Sequence, residues 1–385
     1  MTTDNPLSGL KPFHAMEILA EAKRLEAEGV EVSHLEVGEP GMPPAPAVVA
    51  AVEAVLSEPQ RYTHAKGQVE LRQGLSAYYA DLHGVAVDPE RIIVTTGSSA
   101  GFLLAFLAGF EKGARIAVTR PGYPAYLNIL EALGFEAVEI VLRPENGWRL
   151  SAEDIAAAHA AKPFAGLLFA SPANPTGAVV SRPALAEIVA TCARLGIQLI
   201  SDEIYHGLDY TGPSVSAAEF STDSIIVNSF SKYHCMTGWR MGWLVLPEVL
   251  VRRTEILQQN MFISAPTLSQ VAARAALESR DYAEVQKARY AKNRMLLTRG
   301  LTALGFGGVS ESDGAFYAYA DASAFTNDTM DFCQRLLREA GVAATPGVDF
   351  DRVSGHRFVR FSFAGSKETL QAALEKMAGF LARPS

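Results

Sequence analysis

Lys232 is the residue whose type and neighbours point most directly to chemistry. It follows an apolar run that is typical of a buried strand, and it stands three residues after Ser229 and directly after Ser231. A lone lysine is usually a solvated surface residue, but at the edge of a sheet its amine becomes a Schiff-base nucleophile when its surroundings lower its pKa. The two hydroxyls and the fixed charge of Arg240, eight residues on, suit a phosphate group. This combination indicates an aldehyde cofactor that carries a phosphate.

Three further polar side chains follow apolar runs. Asp202 comes just after the run 197–200. A carboxylate that faces a pyridine nitrogen keeps that nitrogen protonated, so that the ring accepts electrons. Tyr205, three residues on, and Asn174, in the stretch Asn-Pro-Thr-Gly, could reach the phenolic oxygen of the same ring. Taken alone, Asp202 could equally be a cap or turn residue, and Asn174 a plain turn.

A candidate anion site lies where a predicted strand meets a predicted helix. The junction contains Gly97, Ser98 and Ser99. Free backbone N–H groups and the helix dipole favour a bound anion at such a junction. The same residue types are also common helix N-caps, so this signal is weak by itself.

The elements that must position these residues alternate between helical and strand-like patterns. Short apolar runs separated by helical stretches are typical of a mostly parallel sheet that is covered by helices on both faces. In open sheets of this kind, ligands bind beyond the carboxyl ends of the strands, where the candidate residues stand. The predicted strands are 92–95, 115–118, 137–140, 166–169, 197–200, 224–227 and 242–245.

The ends of the chain predict a second, smaller unit. An opening helix ends near Gly29, a short strand is predicted over 32–37, and the tail alternates strands and helices in an α+β pattern. We therefore predict an α/β fold: a large domain over 46–285 with a seven-stranded, mainly parallel sheet flanked by helices, and a small α+β domain from 1–45 and 286–385. A long helical region, from 248 to about 302, is expected to link them.

Composition narrows the function classes. The 385 residues carry a net charge of −8, which argues against sequence-independent binding of nucleic acid. The three cysteines are far apart and form neither a zinc set nor a disulfide framework, so no metal is predicted and a reducing compartment fits. The longest strongly apolar stretch, 101–110, is too short to span a bilayer, and residues 1–8 show no signal peptide. We expect a cytoplasmic protein without a membrane partner.

Together these residues resemble the class I/II aminotransferases, which are fold-type-I pyridoxal-phosphate enzymes. The resemblance runs from Gly38-Glu39-Pro40 to Arg360. It rests on the lysine block, Ser-Phe-Ser-Lys followed by Met-Thr-Gly-Trp-Arg-Met-Gly, and on Asn-Pro-Thr-Gly and Asp-Glu-Ile-Tyr in the matching order. It implies pyridoxal 5′-phosphate as cofactor, ping-pong transfer of an amino group from an L-amino acid to a 2-oxo acid, and a homodimer with shared active sites.

The resemblance also implies a role for each site residue. It makes Lys232 the Schiff-base lysine and proton shuttle, and it makes Asp202 the partner of the pyridine nitrogen. The remaining implied roles are hydrogen bonds to the phenolic oxygen from Asn174 and Tyr205, phosphate binding by Ser229, Arg240 and the backbone at Gly97, Ser98 and Ser99, ring stacking by Tyr123, a phosphate contact in the neighbouring subunit by Tyr62, and binding of the substrate α-carboxylate by Arg360 with Gly38 and Asn174.

Two other functions use part of the same pattern. A carbon–sulfur β-lyase would abstract the same proton through Lys232 and then eliminate a β-thiolate. A transcription regulator with an aminotransferase-like domain would carry an extra N-terminal DNA-binding segment, and only some forty residues precede the main domain here. Arg360 binds only the carboxylate that all donors share. Aspartate-like, aromatic, alanine-like and methionine-like donors therefore remain open.

Overall fold

A computed structural model of the chain describes residues 10–382. The predicted small domain's residues 1–9 and 383–385, and the stretch considered for a signal peptide, lie outside the described residues. The strands within 10–382 are β1 Ser33–His34, β2 Ile92–Thr95, β3 Arg115–Arg120, β4 Glu136–Val141, β5 Gly166–Ala170, β6 Gln198–Asp202, β7 Ile225–Ser229, β8 Gly242–Val245, β9 Tyr317–Asp321, β10 Val342–Ala343, β11 Thr345–Pro346 and β12 Phe358–Ser362.

The helices cover both faces of the large sheet and fill the smaller unit. Those within the described range are α1 His14–Ala27, α2 Pro46–Glu53, α3 Val69–His83, α4 Gly97–Gly109, α5 Pro124–Ala132, α6 Ala152–Ala161, α7 Arg182–Leu195, α8 Glu248–Met261, α9 Thr267–Leu277, α10 Arg280–Leu304, α11 Thr329–Ala340 and α12 Lys367–Leu381.

The large sheet confirms the predicted fold. Its seven strands run in the order β2-β8-β7-β6-β5-β3-β4, and each of the seven predicted apolar runs forms one of them. The strands β4, β3, β5, β6 and β7 are parallel neighbours, whereas β8 is antiparallel to both β7 and β2. Two reversals in succession restore the direction of β2, so β2 ends at the same edge as β5, β6 and β7.

The sheet has apolar side chains on both faces, which explains the unbroken apolar runs. In β5, Leu167 and Phe169 point into one core while Leu168 points into the other. The same alternation separates Leu199 from Ile200 in β6. Successive side chains of a strand point to opposite faces, so a strand that is covered twice needs apolar residues throughout.

A third core belongs to the ends of the chain. The three-stranded antiparallel sheet β11-β12-β9 packs with α1, α10, α11 and α12, and β1 pairs in parallel with β10. The predicted strand 32–37 was too long, because only Ser33–His34 has strand geometry. The predicted helical region is three helices, α8, α9 and α10, because the chain leaves helical geometry at 262–266 and 278–279. Helix α10 runs across the predicted domain boundary at 285.

Candidate active site

A cavity of about 430 Å³ opens at the carboxyl edge of the large sheet. Ten of the thirteen predicted site residues line it, and they come from the ends of β1, β2, β3, β5, β6 and β7 or the segments that follow them, and from β12. The ten are Gly38, Ser98, Ser99, Tyr123, Asn174, Asp202, Tyr205, Lys232, Arg240 and Arg360. Gly97 and Ser229 lie directly behind this wall, and Tyr62 lies elsewhere on the surface.

Lys232 stands three residues beyond the end of β7, with its amine inside the cavity. Its Nζ donates a hydrogen bond to the carbonyl oxygen of Gly38 at 2.6 Å. Burial lowers the pKa of Lys232 to about 8, because an ammonium group loses hydration there. The amine is therefore neutral at a lower pH than an ordinary lysine amine, as a nucleophile requires.

Asp202 is the last residue of β6, and it is only 3% exposed. One carboxylate oxygen accepts a hydrogen bond from the Tyr126 hydroxyl, and the other accepts one from the Ile204 N–H at 3.1 Å. Burial raises the pKa of Asp202 to about 6, and these two hydrogen bonds oppose the rise. Asp202 is thus a buried carboxyl group that ionises within the range of neutral pH.

The junction between β2 and α4 has the geometry of an anion site. Gly97 opens the 13-residue helix α4 with φ +72°, and a Cβ there would lie 2.5 Å from Nη2 of Arg240. Only glycine therefore allows the guanidinium to lie against the first turn. Ser98 and Ser99 follow on the cavity wall. Backbone N–H groups at a helix N-terminus and a guanidinium together suit a phosphate.

Ser229 and Ser231 stand one behind the other. Ser229 is 2% exposed, and its Oγ lies 2.8 Å from both Ser231 Oγ and the carbonyl oxygen of Met241. Ser231 lines the cavity. The side chain that faces a ligand here is therefore Ser231, with Ser229 holding it from behind.

Arg360 is a buried cation that meets only neutral oxygens. It is 4% exposed, and its guanidinium lies between the rings of Tyr317 and Phe350, at 4.4 Å and 4.8 Å from their centroids. Nη1 donates to Asn174 Oδ1 at 2.9 Å, and Nη2 donates to Thr345 Oγ1 at 3.2 Å and to the carbonyl oxygen of Glu36.

The hydrogen bonds of Arg360 bring no carboxylate into direct contact with its guanidinium. Its Nε is buried without a partner, and within residues 10–382 it forms no ion pair with a carboxylate. A buried charge is costly unless it is paired, so an anionic ligand suits this position. The alternative of a salt bridge to a carboxylate of the protein is not observed in the described part of the chain.

Two aromatic contacts complete the wall. The hydroxyl oxygens of Tyr205 and Tyr317 are 2.7 Å apart. Burial raises the pKa of Tyr205 well above its usual value, so its hydroxyl keeps its proton and can donate a hydrogen bond. The ring of Tyr123 stacks on that of Phe13 at 6.0 Å with an interplanar angle of 17°.

Four residues of the site were missed by the sequence interpretation: Tyr126, Tyr317, Phe350 and Thr345. Tyr126 carried the clearest signal, because it stands three residues after Tyr123 in a segment that follows a strand end. For the other three a core or turn role was the simpler interpretation. Only the folded chain brings them against Arg360.

Tyr62 differs from the other predicted site residues. Its side chain is 80% exposed. The backbone beside it is held against α9, where Thr267 Oγ1 donates to the carbonyl oxygen of Arg61 at 2.6 Å and Gln270 Nε2 donates to Thr63 Oγ1 at 2.9 Å. Tyr62 thus projects into solvent from an anchored loop.

The described residues contain neither a metal-binding cluster nor a membrane-spanning helix. No cluster of three or more His, Cys, Asp or Glu side chains within 10–382 could hold a metal ion. Among the helices of the described range, none combines the length and the apolar character needed to cross a bilayer.

The sequence profile of the family described as aminotransferase class I and II matches residues 30–377. The chain belongs to this family. The resemblance inferred from the lysine block is confirmed, and with it the assignment as an enzyme that transfers amino groups. The cofactor of class I and II aminotransferases is pyridoxal 5′-phosphate, which the sequence also predicted.

This aminotransferase has close relatives over its full length. It is 45% identical to the valine–pyruvate aminotransferase of Mycobacterium tuberculosis over 380 residues, which are 97% of each chain. It is 34% identical to the aspartate/prephenate aminotransferase of Thermus thermophilus over an alignment of 387 positions that covers 98% of each chain.

Solved structures agree with the fold. A crystal structure of an aminotransferase from Mycobacterium tuberculosis has a TM-score of 0.95 and 43% identity, and the match covers 99% of both chains. The aspartate aminotransferase from Thermus thermophilus with maleate has a TM-score of 0.92 and 32% identity, and the match covers 98% of this chain and 99% of that one.

The residues of this aminotransferase fit pyridoxal 5′-phosphate. The cradle at Gly97 and Arg240 suits the phosphate, and a side chain on Gly97 would push the guanidinium away. The amine of Lys232 suits the aldehyde, and Asp202 suits the ring nitrogen. When bound, the cofactor supplies an electron sink for the reacting carbon.

Proposed function

We propose that this aminotransferase takes an apolar aliphatic L-amino acid as donor and a small 2-oxo acid as acceptor. The observation that carries this proposal is the apolar part of the cavity lining. Phe13, Met16, Val37 and Phe350 stand there. An apolar wall of this kind favours an aliphatic side chain, because burying it removes apolar surface from water.

The cations of the cavity support the same conclusion. The lysine and arginine side chains that line it within the described range are Lys232, Arg240 and Arg360. The first two suit the cofactor, and the third suits the α-carboxylate that every donor carries. Among the described residues of one subunit, no further lysine or arginine lines the cavity to bind a second carboxylate, and the side chain of Glu39 at the same cavity would repel one.

A named relative points the same way. The Mycobacterium tuberculosis protein that is 45% identical is named a valine–pyruvate aminotransferase. Valine is an aliphatic donor and pyruvate is a small 2-oxo acid. We therefore expect this pair, or close analogues of it, to be among the substrates.

Each residue then has a role in two half-reactions. Lys232 would hold the aldehyde group of the cofactor with its Nζ, and the same amine would take up the proton of the donor's α-carbon and return it in each half-reaction. Asp202 keeps the ring nitrogen protonated, with Tyr126 holding the carboxylate in place. Tyr205 and Asn174 donate hydrogen bonds to the phenolic oxygen. Proton transfer by a positioned group typically accelerates a reaction about a hundred- to ten-thousand-fold.

The remaining roles concern binding. Arg360 binds the α-carboxylate with its free Nε and with the Nη groups that now meet neutral oxygens, and the backbone of Gly38 faces the same carboxylate. Tyr123 stacks on the ring. The phosphate is held by Ser231, Ser229, Arg240 and the backbone of Gly97, Ser98 and Ser99.

We also propose a homodimer in which Tyr62 reaches the phosphate of the neighbouring subunit. An anchored loop that presents a tyrosine to solvent supports an interface there. The proposed division into a large domain, 46–285, and a small one from both ends of the chain is supported by the separate apolar core around β9 and β12.

We place the enzyme in the cytoplasm, with small molecules and a second copy of the chain as its partners and with neither nucleic acid nor membrane among them. The net charge of −8 disfavours a nucleic-acid partner. Cys192, Cys235 and Cys333 are buried and free, which suits a reducing compartment.

A donor panel tests the proposed substrates. The holoenzyme would be assayed with valine, isoleucine, methionine, alanine, phenylalanine, aspartate and glutamate, each against pyruvate and 2-oxoglutarate. We expect the highest kcat/KM with an aliphatic donor. A preference for aspartate or glutamate would refute the proposed donor class.

The same panel separates transamination from β-elimination. Cystathionine would be added, and pyruvate, ammonia and thiol would be measured without an acceptor. The relatives reported above are named aminotransferases, and no feature of the cavity favours a lyase. Elimination faster than transamination would nevertheless reverse this assignment.

A further inference from the structure

The residues at the start of α1 line part of the cavity, and we call Phe13, Ala15 and Met16 its roof. Phe13, Ala15 and Met16 contribute side chains to the cavity wall. The segment is fastened to the large sheet's side of the cavity in two places. Phe13 stacks on Tyr123, and Asn128 Nδ2 donates to the carbonyl oxygen of Lys11 at 3.1 Å.

The third attachment comes from Asp349, far away in sequence. Its two carboxylate oxygens accept hydrogen bonds from the backbone N–H groups of His14 and Ala15, each at 2.9 Å. Helix α1 has no side-chain cap of its own at Phe13, while the N–H groups of Met16 and Glu17 bond back to the Phe13 carbonyl. Asp349 is thus the acceptor for the first two N–H groups of the helix.

Asp349 also connects the roof to the carboxylate clamp. It ends the short turn Gly347–Asp349 and directly precedes Phe350, whose ring lies against the Arg360 guanidinium. Asp349 is only 9% exposed. One carboxylate, which also lines the cavity, therefore joins the start of α1 to the turn beside Arg360.

We propose that Asp349 is a positioning residue that sets the size of donor side chain this enzyme accepts, by holding Phe13, Ala15 and Met16 over the cavity. This deepens the proposed donor preference and rests on it for the choice of donors. A carboxylate is required because it offers an acceptor to each of two N–H groups and because a negative charge is favoured at a helix N-terminus.

Asp349→Asn is the discriminating variant. Asparagine has the same shape but keeps one acceptor oxygen, and its NH₂ group faces the other N–H. We expect KM for valine, isoleucine and methionine to rise about 3- to 30-fold, the effect of losing a helix cap, with kcat retained at saturation. The KM for alanine should change by less than about twofold, because its methyl group does not fill the roofed space.

Asp328→Asn is the matched control. Asp328 caps α11 through Oδ1, which accepts from Met330 N at 3.0 Å and Asp331 N at 3.2 Å, and it lies outside the cavity. Asparagine keeps the single oxygen that accepts both of these N–H groups, so this variant should leave both the melting temperature and the ratio of kcat/KM for valine and alanine nearly unchanged.

Hydrogen exchange gives a readout that does not depend on activity. Amides of residues 14 and 15 should exchange faster in Asp349→Asn than in the wild type, with or without cofactor, and should be unchanged in Asp328→Asn. If Asp349→Asn does not fold, Met16→Ala serves as the test variant. Met16 is 54% exposed, so truncating its side chain should not prevent folding. It should raise kcat/KM for phenylalanine relative to valine.

The outcomes separate this proposal from the donor assignment. Three results would each overturn the role of Asp349. They are an equal rise in KM for alanine and for the larger donors in Asp349→Asn, unchanged hydrogen exchange at residues 14 and 15, and an unchanged ratio of kcat/KM for phenylalanine and valine in Met16→Ala. A wild-type preference for acidic donors would refute the donor class, and the exchange measurement would still decide whether Asp349 holds the roof.

Discussion

Removing the hydroxyl of Tyr126 tests how the chain keeps Asp202 ionised. In Tyr126→Phe the ring keeps its edge contacts with Phe102 and Tyr123, at 5.3 Å and 5.4 Å, while the hydrogen bond to Asp202 is lost. A hydrogen bond to a charged group is worth about 1.5–3 kcal/mol, which corresponds to about 1–2 pKa units. We therefore expect the pKa of Asp202 to rise from about 6 to about 7–8 in the variant without cofactor.

The consequence at pH 7 follows directly. A carboxyl group with a pKa of about 6 is about 90% ionised at pH 7, whereas one with a pKa of 7–8 is about 50% to 10% ionised. If only the ionised carboxylate binds the protonated ring nitrogen, the affinity of the apoprotein for pyridoxal 5′-phosphate should fall about two- to tenfold at pH 7. Above about pH 9 the two proteins should bind the cofactor equally well.

The assay is a titration of each apoprotein with cofactor, followed by absorbance between pH 5 and pH 9. The acidic limb of affinity should move to higher pH by about 1–2 units in Tyr126→Phe. Tyr282→Phe is the control, since the Tyr282 hydroxyl donates to the Pro43 carbonyl at 2.9 Å and is not part of the cavity. Superimposable limbs for wild type and Tyr126→Phe would show that the hydroxyl does not stabilise the Asp202 charge.

Three further predictions concern other parts of the cavity. Arg360→Leu should raise KM for amino donors by about 10- to 100-fold in steady-state kinetics. Arg360→Lys should not restore the wild-type KM, because a lysine lacks the planar pair of N–H donors. An unchanged KM in either variant would place the α-carboxylate elsewhere. Gly97→Ala should release cofactor on dialysis more readily than the wild type, because the new Cβ would lie 2.5 Å from Nη2 of Arg240; equal retention would exclude the cradle. The rate at which apoprotein takes up cofactor should rise with pH and level off near pH 8, where the Lys232 amine becomes neutral. A rate that keeps rising to about pH 10 would mean that burial does not activate this amine. Lys232→Ala should show neither the cofactor absorbance nor turnover.

The large sheet could be predicted from sequence because each of its strands is marked by the residue types of a few consecutive positions. Runs such as Gly166–Ala170 are apolar on both faces, and this is a property of a few consecutive residues. The reversed direction of β8 was not predictable in the same way, since an apolar run has the same pattern in either direction. The breaks between α8, α9 and α10 fell within a helical pattern that continues on both sides of each break.

The candidate site divides in the same manner. Asp202, Asn174 and Lys232 stand after strands, so their meeting at one edge followed from the fold class. Tyr317 and Asp349 gave no such signal, because their partners are distant in sequence: Asp349 meets His14, 335 residues away. Contacts of that kind depend on how the two ends of the chain pack together, which no local pattern encodes.

The roof over the cavity also has a consequence for how such an enzyme changes over evolutionary time. In the proposed arrangement, helix α1 and Asp349 shape the space for the donor, whereas segments that follow strands of the large sheet hold the cofactor. A mutation at Met16 can therefore alter which amino acid is accepted while every contact with the vitamin-derived group stays intact. Mutations can thus change the donor specificity of this chain while its ability to transfer amino groups is retained.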